Sequence, residues 1–170
     1  MSRSLDLEFL GHSTVVIDLD GVRLLTDPVT RARVGPLRRV EPVPSRERTR
    51  GVDAVLISHL HWDHLDVPSL RDIGRSTPLY VPAGAAPWVR AAGFTDVHDI
   101  AVGDTVDIGG VEVRAVPALH SGFRPPLGPT APPLGFVIRG SRSIYFAGDT
   151  DLFEGMADLG ERVDLALIPV

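Results

Sequence analysis

The chain has 170 residues, 44% of them hydrophobic, and a formal net charge of −5, which reads as one domain with enough apolar mass for a real core. It has no cysteine, so disulfides and thiolate ligands are excluded and any metal must use nitrogen and oxygen donors. No run reaches the ~20 apolar residues of a membrane span, and the acidic balance argues against nucleic acid as a partner.

The N-terminal Met1-Ser2-Arg3-Ser4-Leu5-Asp6 lacks the apolar stretch of a secretory signal, so a cytoplasmic protein is the expectation. Every basic side chain other than histidine is arginine, which removes lysine Schiff-base chemistry.

In chain order, Leu5, Leu7 and Phe9 alternate with Asp6 and Glu8, the pattern of a half-buried strand. Residues 13–19 and 22–26 flank Asp20-Gly21, a two-residue hairpin signal. Residues 28–51 read as a loop or short lid. Seven arginines (31, 33, 38, 39, 46, 48 and 50) stand there against Glu41 and Glu47. They are either a solvated loop or a positive rim that attracts an anionic substrate. An apolar strand follows over residues 53–58. A short helix over 67–73 has Pro68 in its first turn and Gly74 at its end.

Further along, 79–81 reads as a strand, 85–92 as a helix stopped by Gly93, and 97–100 as an edge strand. Gly109-Gly110 and Gly140-Ser141-Arg142 mark two more hairpins, with strands at 105–108, 111–117, 136–139 and 143–146. Residues 121–135 are proline-rich loop, with Phe123 and Pro125-Pro126 expected at the entrance to any site. A helix is expected over 152–159, ended by Gly160, then a buried apolar strand over 163–170. Each half of the chain thus runs hairpin strands and then a buried strand. A buried strand as the last element is unusual, so the expectation is a domain cut short at its C-terminus.

The chemistry concentrates in His59-Leu60-His61-Trp62-Asp63-His64, directly after the 53–58 strand. Residues two apart in an extended segment share a side. His59, His61 and Asp63 can therefore converge while His64 turns to a neighbouring position, which suits two ions side by side. His120 ends a later strand, and Gly148-Asp149-Thr150 ends another, with Gly148 allowing a tight turn or close approach. Taken alone, His120 simply ends a strand and Asp149 caps a helix; beside the histidine cluster both become candidate metal ligands.

His12, just after the first strand, is either structural or close to the site. Asp27 either steadies a ligating histidine or sets a turn. Trp62 is expected to pack under its loop, and His98 to sit exposed on the edge strand.

The HxHxDH set, an isolated later histidine and Gly-Asp-Thr after an apolar strand resemble the metallo-β-lactamase-fold superfamily. Gly11-His12-Ser13-Thr14, Leu24-Leu25-Thr26-Asp27-Pro28 and His64-Leu65-Asp66 are similar to its N-acylphosphatidylethanolamine phospholipase D-like and ascorbate-6-phosphate lactonase-like branch. The resemblance implies an α/β (α+β) fold, a four-layer αββα sandwich with the site on one edge.

It also implies that His59, His61 and His120 hold one divalent ion, that Asp63 and His64 hold a second, and that Asp149 bridges. Zinc is the expected metal, with manganese or iron compatible with the donors. Asp63 doubles as the catalytic residue that orients or deprotonates the attacking water. Relatives supply one more histidine from the loop after a strand matching 163–170, which has no counterpart in this sequence. The expected activity is hydrolysis of a small anionic ester, lactone or phosphodiester rather than a β-lactam. The alternative is a truncated or degenerate metal-binding fragment that turns nothing over.

Overall fold

The computed structural model describes residues 4–159 and 162–169. Thirteen strands and two α-helices follow in order. They are β1 (Leu5–Gly11), β2 (Thr14–Leu19), β3 (Val22–Thr26), β4 (Arg33–Val34), β5 (Leu37–Arg38), β6 (Ala54–Leu56), α1 (Val67–Ile73), β7 (Leu79–Pro82), α2 (Ala86–Ala91), β8 (Val97–Ile100), β9 (Thr105–Ile108), β10 (Val111–Pro117), β11 (Leu134–Arg139), β12 (Ser143–Phe146) and β13 (Leu165–Leu167). One sheet runs β1-β2-β3-β6-β7-β8 and the other β13-β12-β11-β10-β9.

The hairpin chemistry explains the first three strands. Asp20 and Gly21 adopt φ of 54° and 92°, the left-handed pair that a tight hairpin with right-twisted strands requires. From β3 onward the first sheet is parallel through β6, β7 and β8. Such strands are covered on both faces, so Ala54-Val55-Leu56 reads as an unbroken apolar run rather than an alternating one.

Three apolar layers hold the sandwich. Between the sheets, Ile17, Leu19, Leu24 and Leu56 meet Val113, Phe136, Ile138 and Ile144. Outside the first sheet, Val16, Leu25, Val55 and Ile57 pack with Leu70 of α1 and Val89 of α2. Outside the second sheet, Val116, Val137 and Tyr145 are covered by Leu159 and Val163. Phe136 is fully buried in the central layer. Phe136→Ala is expected to cost about 3–5 kcal/mol and to lower the melting midpoint by roughly 10 °C. Calorimetry showing a loss below about 1 kcal/mol would contradict this placement.

Several expectations need correction. Phe9 does not continue the buried face of β1; it is 63% exposed, because at this end of the strand it borders an open cavity with Leu167 and Ile168 rather than packed core. The 28–51 segment is not featureless loop: it carries the β4–β5 ribbon and a 3₁₀ turn at Arg46–Thr49. The expected helix over 152–159 is a 3₁₀ turn at Glu154–Leu159, where Gly155 weakens a longer helix. The expected buried strand over 163–170 is the three-residue β13 on a sheet edge, only half covered. Gly160 and Val170, expected as the helix stop and the strand end, lie outside the described residues, as do Met1-Ser2-Arg3. Gly74 and Gly93 do follow their helices, and the coarse repeat is real. In each half a hairpin series (β1-β2-β3, β10-β11-β12) is followed by a strand parallel to its last member.

Candidate metal centre

Strand direction decides where the polar residues meet. β1 and β3 both run antiparallel to β2, and β6 runs parallel to β3. Their C-terminal ends therefore lie on one edge, carrying His12, Asp27 and the 59–64 loop. In the second sheet β10 and β12 both run antiparallel to β11. Their ends deliver His120 and Asp149.

The two loops of the second sheet are tied together. The Leu119 N–H donates to Thr150 Oγ1 at 2.9 Å, and the Asp151 N–H donates to the Leu119 carbonyl at 2.9 Å. Gly148, at φ 61°, leaves no room for a side chain, since a Cβ there would lie 2.7 Å from Ser58 Cβ. The Gly-Asp-Thr sequence is thus a close approach, a carboxylate and a loop anchor in succession.

His59, His61 and His120 converge. His59 Nε2 lies 3.0 Å from His61 Nδ1, and His120 Nε2 lies 3.2 Å from the same atom. The tautomer of His59 follows from its neighbours. Ser58 Oγ donates its hydrogen to Asp27 Oδ2 at 2.5 Å, so it is left to accept from His59 Nδ1 at 3.0 Å. His59 Nε2 then carries a lone pair aimed at the cluster.

One proton on His61 Nδ1 cannot satisfy both neighbours well. A cation among the three nitrogens satisfies all of them. Ligands at 2.0–2.1 Å around a tetrahedral ion stand about 3.3–3.4 Å apart, close to the observed spacings. The donor set therefore fits a divalent metal. Burial, followed by the adjacent histidines, pushes His59 far below the ordinary imidazole value, and His61 shifts the same way for the same reasons. Both are held in the neutral form that ligation needs.

A second group stands beside it. His64 is wholly buried, and its Nδ1 donates to Asp27 Oδ2 at 2.8 Å. Its Nε2 lies 3.2 Å from Asp149 Oδ2, close enough for charge attraction yet without a hydrogen bond. Asp63 Oδ2 is 4.0 Å from that nitrogen and 3.0 Å from His12 Nε2. Burial works to lower the His64 pKa, but Asp27 and Asp149 outweigh it and raise the ring to about 10. The hydrogen bond from His12 holds Asp63 well below the usual carboxylate range, and His64 does the same for Asp149. Asp149 Oδ2 is also 4.0 Å from His120 Nε2, so this carboxylate stands between the two groups.

All six residues singled out as ligands, His59, His61, Asp63, His64, His120 and Asp149, come to this edge. Asp27 takes the steadying role rather than a merely local turn. Its second oxygen also accepts from the Ser58 N–H at 2.7 Å. His98 sits on β8, stacked on Tyr80 at 5.0 Å, away from the cluster. Trp62 is not packed under its loop; it is 40% exposed and faces Gly35, where a Cβ would lie 3.1 Å from its ring. Phe123 is partly exposed and bridges to Thr130, and it lines neither of the two cavities beside the histidines.

Some supporting residues carried no sequence signal. Arg124 is buried, and its Nη1 donates to the carbonyls of Leu60 (2.5 Å) and Leu65 (3.1 Å), pinning the 59–65 loop from 59 or more residues away in sequence. Arg31 grips Asp66 through two nitrogens at 2.8 and 2.6 Å. Asp66 in turn caps α1 by accepting from the Ser69 N–H. The residues around either arginine in the sequence reveal neither contact.

Two cavities flank the cluster. One of about 330 Å³ holds Arg33, Arg38 and Arg39 beside His12 and Asp63. The other, of about 600 Å³, is bounded by Phe9, Asp149, Leu167 and Ile168, again with His12. The arginine stretch divides accordingly. Arg46 and Arg48 pair with Asp72 and Glu8; Arg31, paired with Asp66, lines the first cavity with Arg33, Arg38 and Arg39, and Arg39 donates to the Val29 and Pro42 carbonyls.

A twin-sheet sandwich with a histidine–aspartate cluster on one edge defines a class of metal-dependent proteins, and comparison with known proteins agrees. The Beta-lactamase superfamily domain profile matches residues 22–170. N-acyl-phosphatidylethanolamine-hydrolyzing phospholipase D 1 of Caenorhabditis elegans is 32% identical over 187 residues, covering 95% of this chain and 52% of that protein. A metal-dependent hydrolase of Deinococcus radiodurans is 33% identical over 175 residues, covering 98% of this chain and 72% of that protein. The chain belongs to the metallo-β-lactamase superfamily.

It spans about half the length of the first of these relatives. Among solved structures, CmlA, a diiron beta-hydroxylase from Streptomyces venezuelae, superposes with a TM-score of 0.72 at 27% identity, over 98% of this chain and 34% of that one. The metallo hydrolase Igni18 from Ignicoccus hospitalis gives 0.75 at 23% identity, over 96% and 69%, which speaks to the fold. Among the described residues no helix is long and apolar enough to cross a membrane.

Proposed function

We propose that residues 1–170 act as one metallo-β-lactamase-like domain carrying a dinuclear, metal-dependent hydrolase site for a small anionic ester, lactone or phosphodiester. In this reading His59, His61 and His120 hold one ion, Asp63 and His64 a second, and Asp149 lies between them. The observation that carries it is the convergence of three imidazole nitrogens within 3.0–3.2 Å contacts, one of them with its tautomer set by Ser58 and Asp27. Zinc suits these donors, as does manganese; the diiron centre named for CmlA makes iron a further candidate.

Bound divalent metal supplies Lewis acidity that makes water a nucleophile at neutral pH. The chain's own residues do the rest. Asp63 stays ionised beside His12 and can orient the attacking water or take its proton. Arg33 and Arg38 line the cavity next to it and suit a carboxylate or phosphate group. The groove on the other side, bounded by Phe9 and Leu167, suits the organic part of the substrate.

The test is elemental mass spectrometry of the purified protein together with hydrolysis of activated carboxylic esters and phosphodiesters, before and after a chelator. About two ions per chain are expected, with turnover lost on chelation and regained with zinc, manganese or iron. Turnover that survives complete metal removal would overturn the reading. Metal without any turnover would favour the non-catalytic metal binder instead.

A further inference from the structure

Five of the six histidines gather at the site edge, and His98 is the exception. Four of the five already have roles in the reading above. His12 is the remainder, and its position is more constrained than a surface histidine requires.

We propose that His12 is a protein ligand of the second cation, completing an imidazole–carboxylate–imidazole set with Asp63 and His64; this rests on the dinuclear reading of the site. The donor atoms of these three residues all lie within 4.8 Å of one another. His12 Nε2 is 3.0 Å from Asp63 Oδ2, and the His12 and His64 rings meet edge to face with centroids 4.8 Å apart. His64 Nε2 is buried, makes no hydrogen bond and lies 4.0 Å from the same Asp63 oxygen, while Nδ1 is committed to Asp27, so Nε2 is the ring atom left to bind a cation in place of its proton. A buried ring nitrogen without a hydrogen-bond partner is what a bound cation corrects.

The backbone supports the assignment. His12 has φ 55°, directly after Gly11 at φ 104°. A non-glycine residue in the left-handed region is uncommon, and such residues gather at functional sites. Gly11 is itself favoured, since φ 104° strains any other residue and a Cβ there would lie 3.1 Å from Glu41 Cβ. The turn between β1 and β2 is thus built to present the imidazole over Asp63. An ion pair between His12 and Asp63 alone would explain their contact. It would not explain the buried, unbonded Nε2 of His64 beside the same carboxylate.

The experiment is cobalt(II) titration of the metal-free protein, following the number of ions bound by elemental mass spectrometry and the visible ligand-field absorption of each equivalent. His12→Gly suits the positive φ and removes the imidazole. Partners that merely orient metal ligands cost about 10–100-fold in affinity when removed, so losing the ligand is expected to weaken the second equivalent by at least about 100-fold. The first equivalent should be unchanged, and added imidazole should restore the second. His98→Ala serves as the control and should bind two ions. His12→Asn gives the same readout should glycine loosen the turn.

Two ions bound with unchanged affinity and absorption in both His12 variants would overturn this proposal and leave the hydrolase reading standing. A single ion in the unsubstituted protein would also overturn it, with the three-histidine group surviving. No ion at all would sink both.

Discussion

The double variant His59→Ala/His61→Ala is expected to lose the first metal and with it at least about a thousand-fold in kcat/KM, or about 4 kcal/mol of transition-state stabilisation. The two rings supply two of the three converging nitrogens, so one imidazole cannot keep an ion in place. The fold should survive. His61 lies at the partly open end of the cluster, and His59, although buried, is flanked by polar groups rather than knitted into the apolar layers. Circular dichroism separates loss of function from loss of structure. A folded double variant that retains turnover or a full metal complement would remove the basis for the proposed site.

Asp27→Ala should act on stability and metal binding together, although this residue is placed in neither ion's ligand set. One buried carboxylate accepts from the Ser58 N–H, the Ser58 hydroxyl and His64 Nδ1. Removing it strands three donors, each costing about 1–3 kcal/mol when buried without a partner. A loss of about 3 kcal/mol or more in the metal-free protein follows, lowering the melting midpoint by roughly 6–12 °C. It also frees the orientations of His59 and His64, so each ion should bind about 10–100-fold more weakly. Calorimetry and metal titration read the two effects separately. Unchanged metal affinity in a folded Asp27→Ala protein would mean that the histidines are aligned by packing alone.

Much of this was legible in the chain because the signals are local. Hairpin dipeptides such as Asp20-Gly21 fix their backbone angles within two residues. Pro68 and Gly74 bound α1 by the geometry of proline and glycine. The HxHxDH spacing places four donors within six residues. Signals that depend on distant partners were misread. The alternation ending at Phe9 promised burial, but the ring stands at the open site edge, where a cavity takes the place of core. The apolar run over 163–170 promised a buried strand, but β13, paired with β12 among the described residues, is only half covered.

By itself, then, the sequence determined most of the element types, the metal-competent residues and the exclusion of thiolate ligands, all of which depend on residue identity and short-range geometry. Only the tertiary structure decided that Asp27 serves two histidines at once. It did so because β3 and β6 run parallel in register, with Thr26 beside Leu56, which sets Asp27 next to Ser58. It also placed Arg124 under the metal loop and His12 over Asp63. The ends of strands from two sheets meet on one edge through hydrogen-bond register and chain direction, and neither is written in the spacing of residues far apart in the chain.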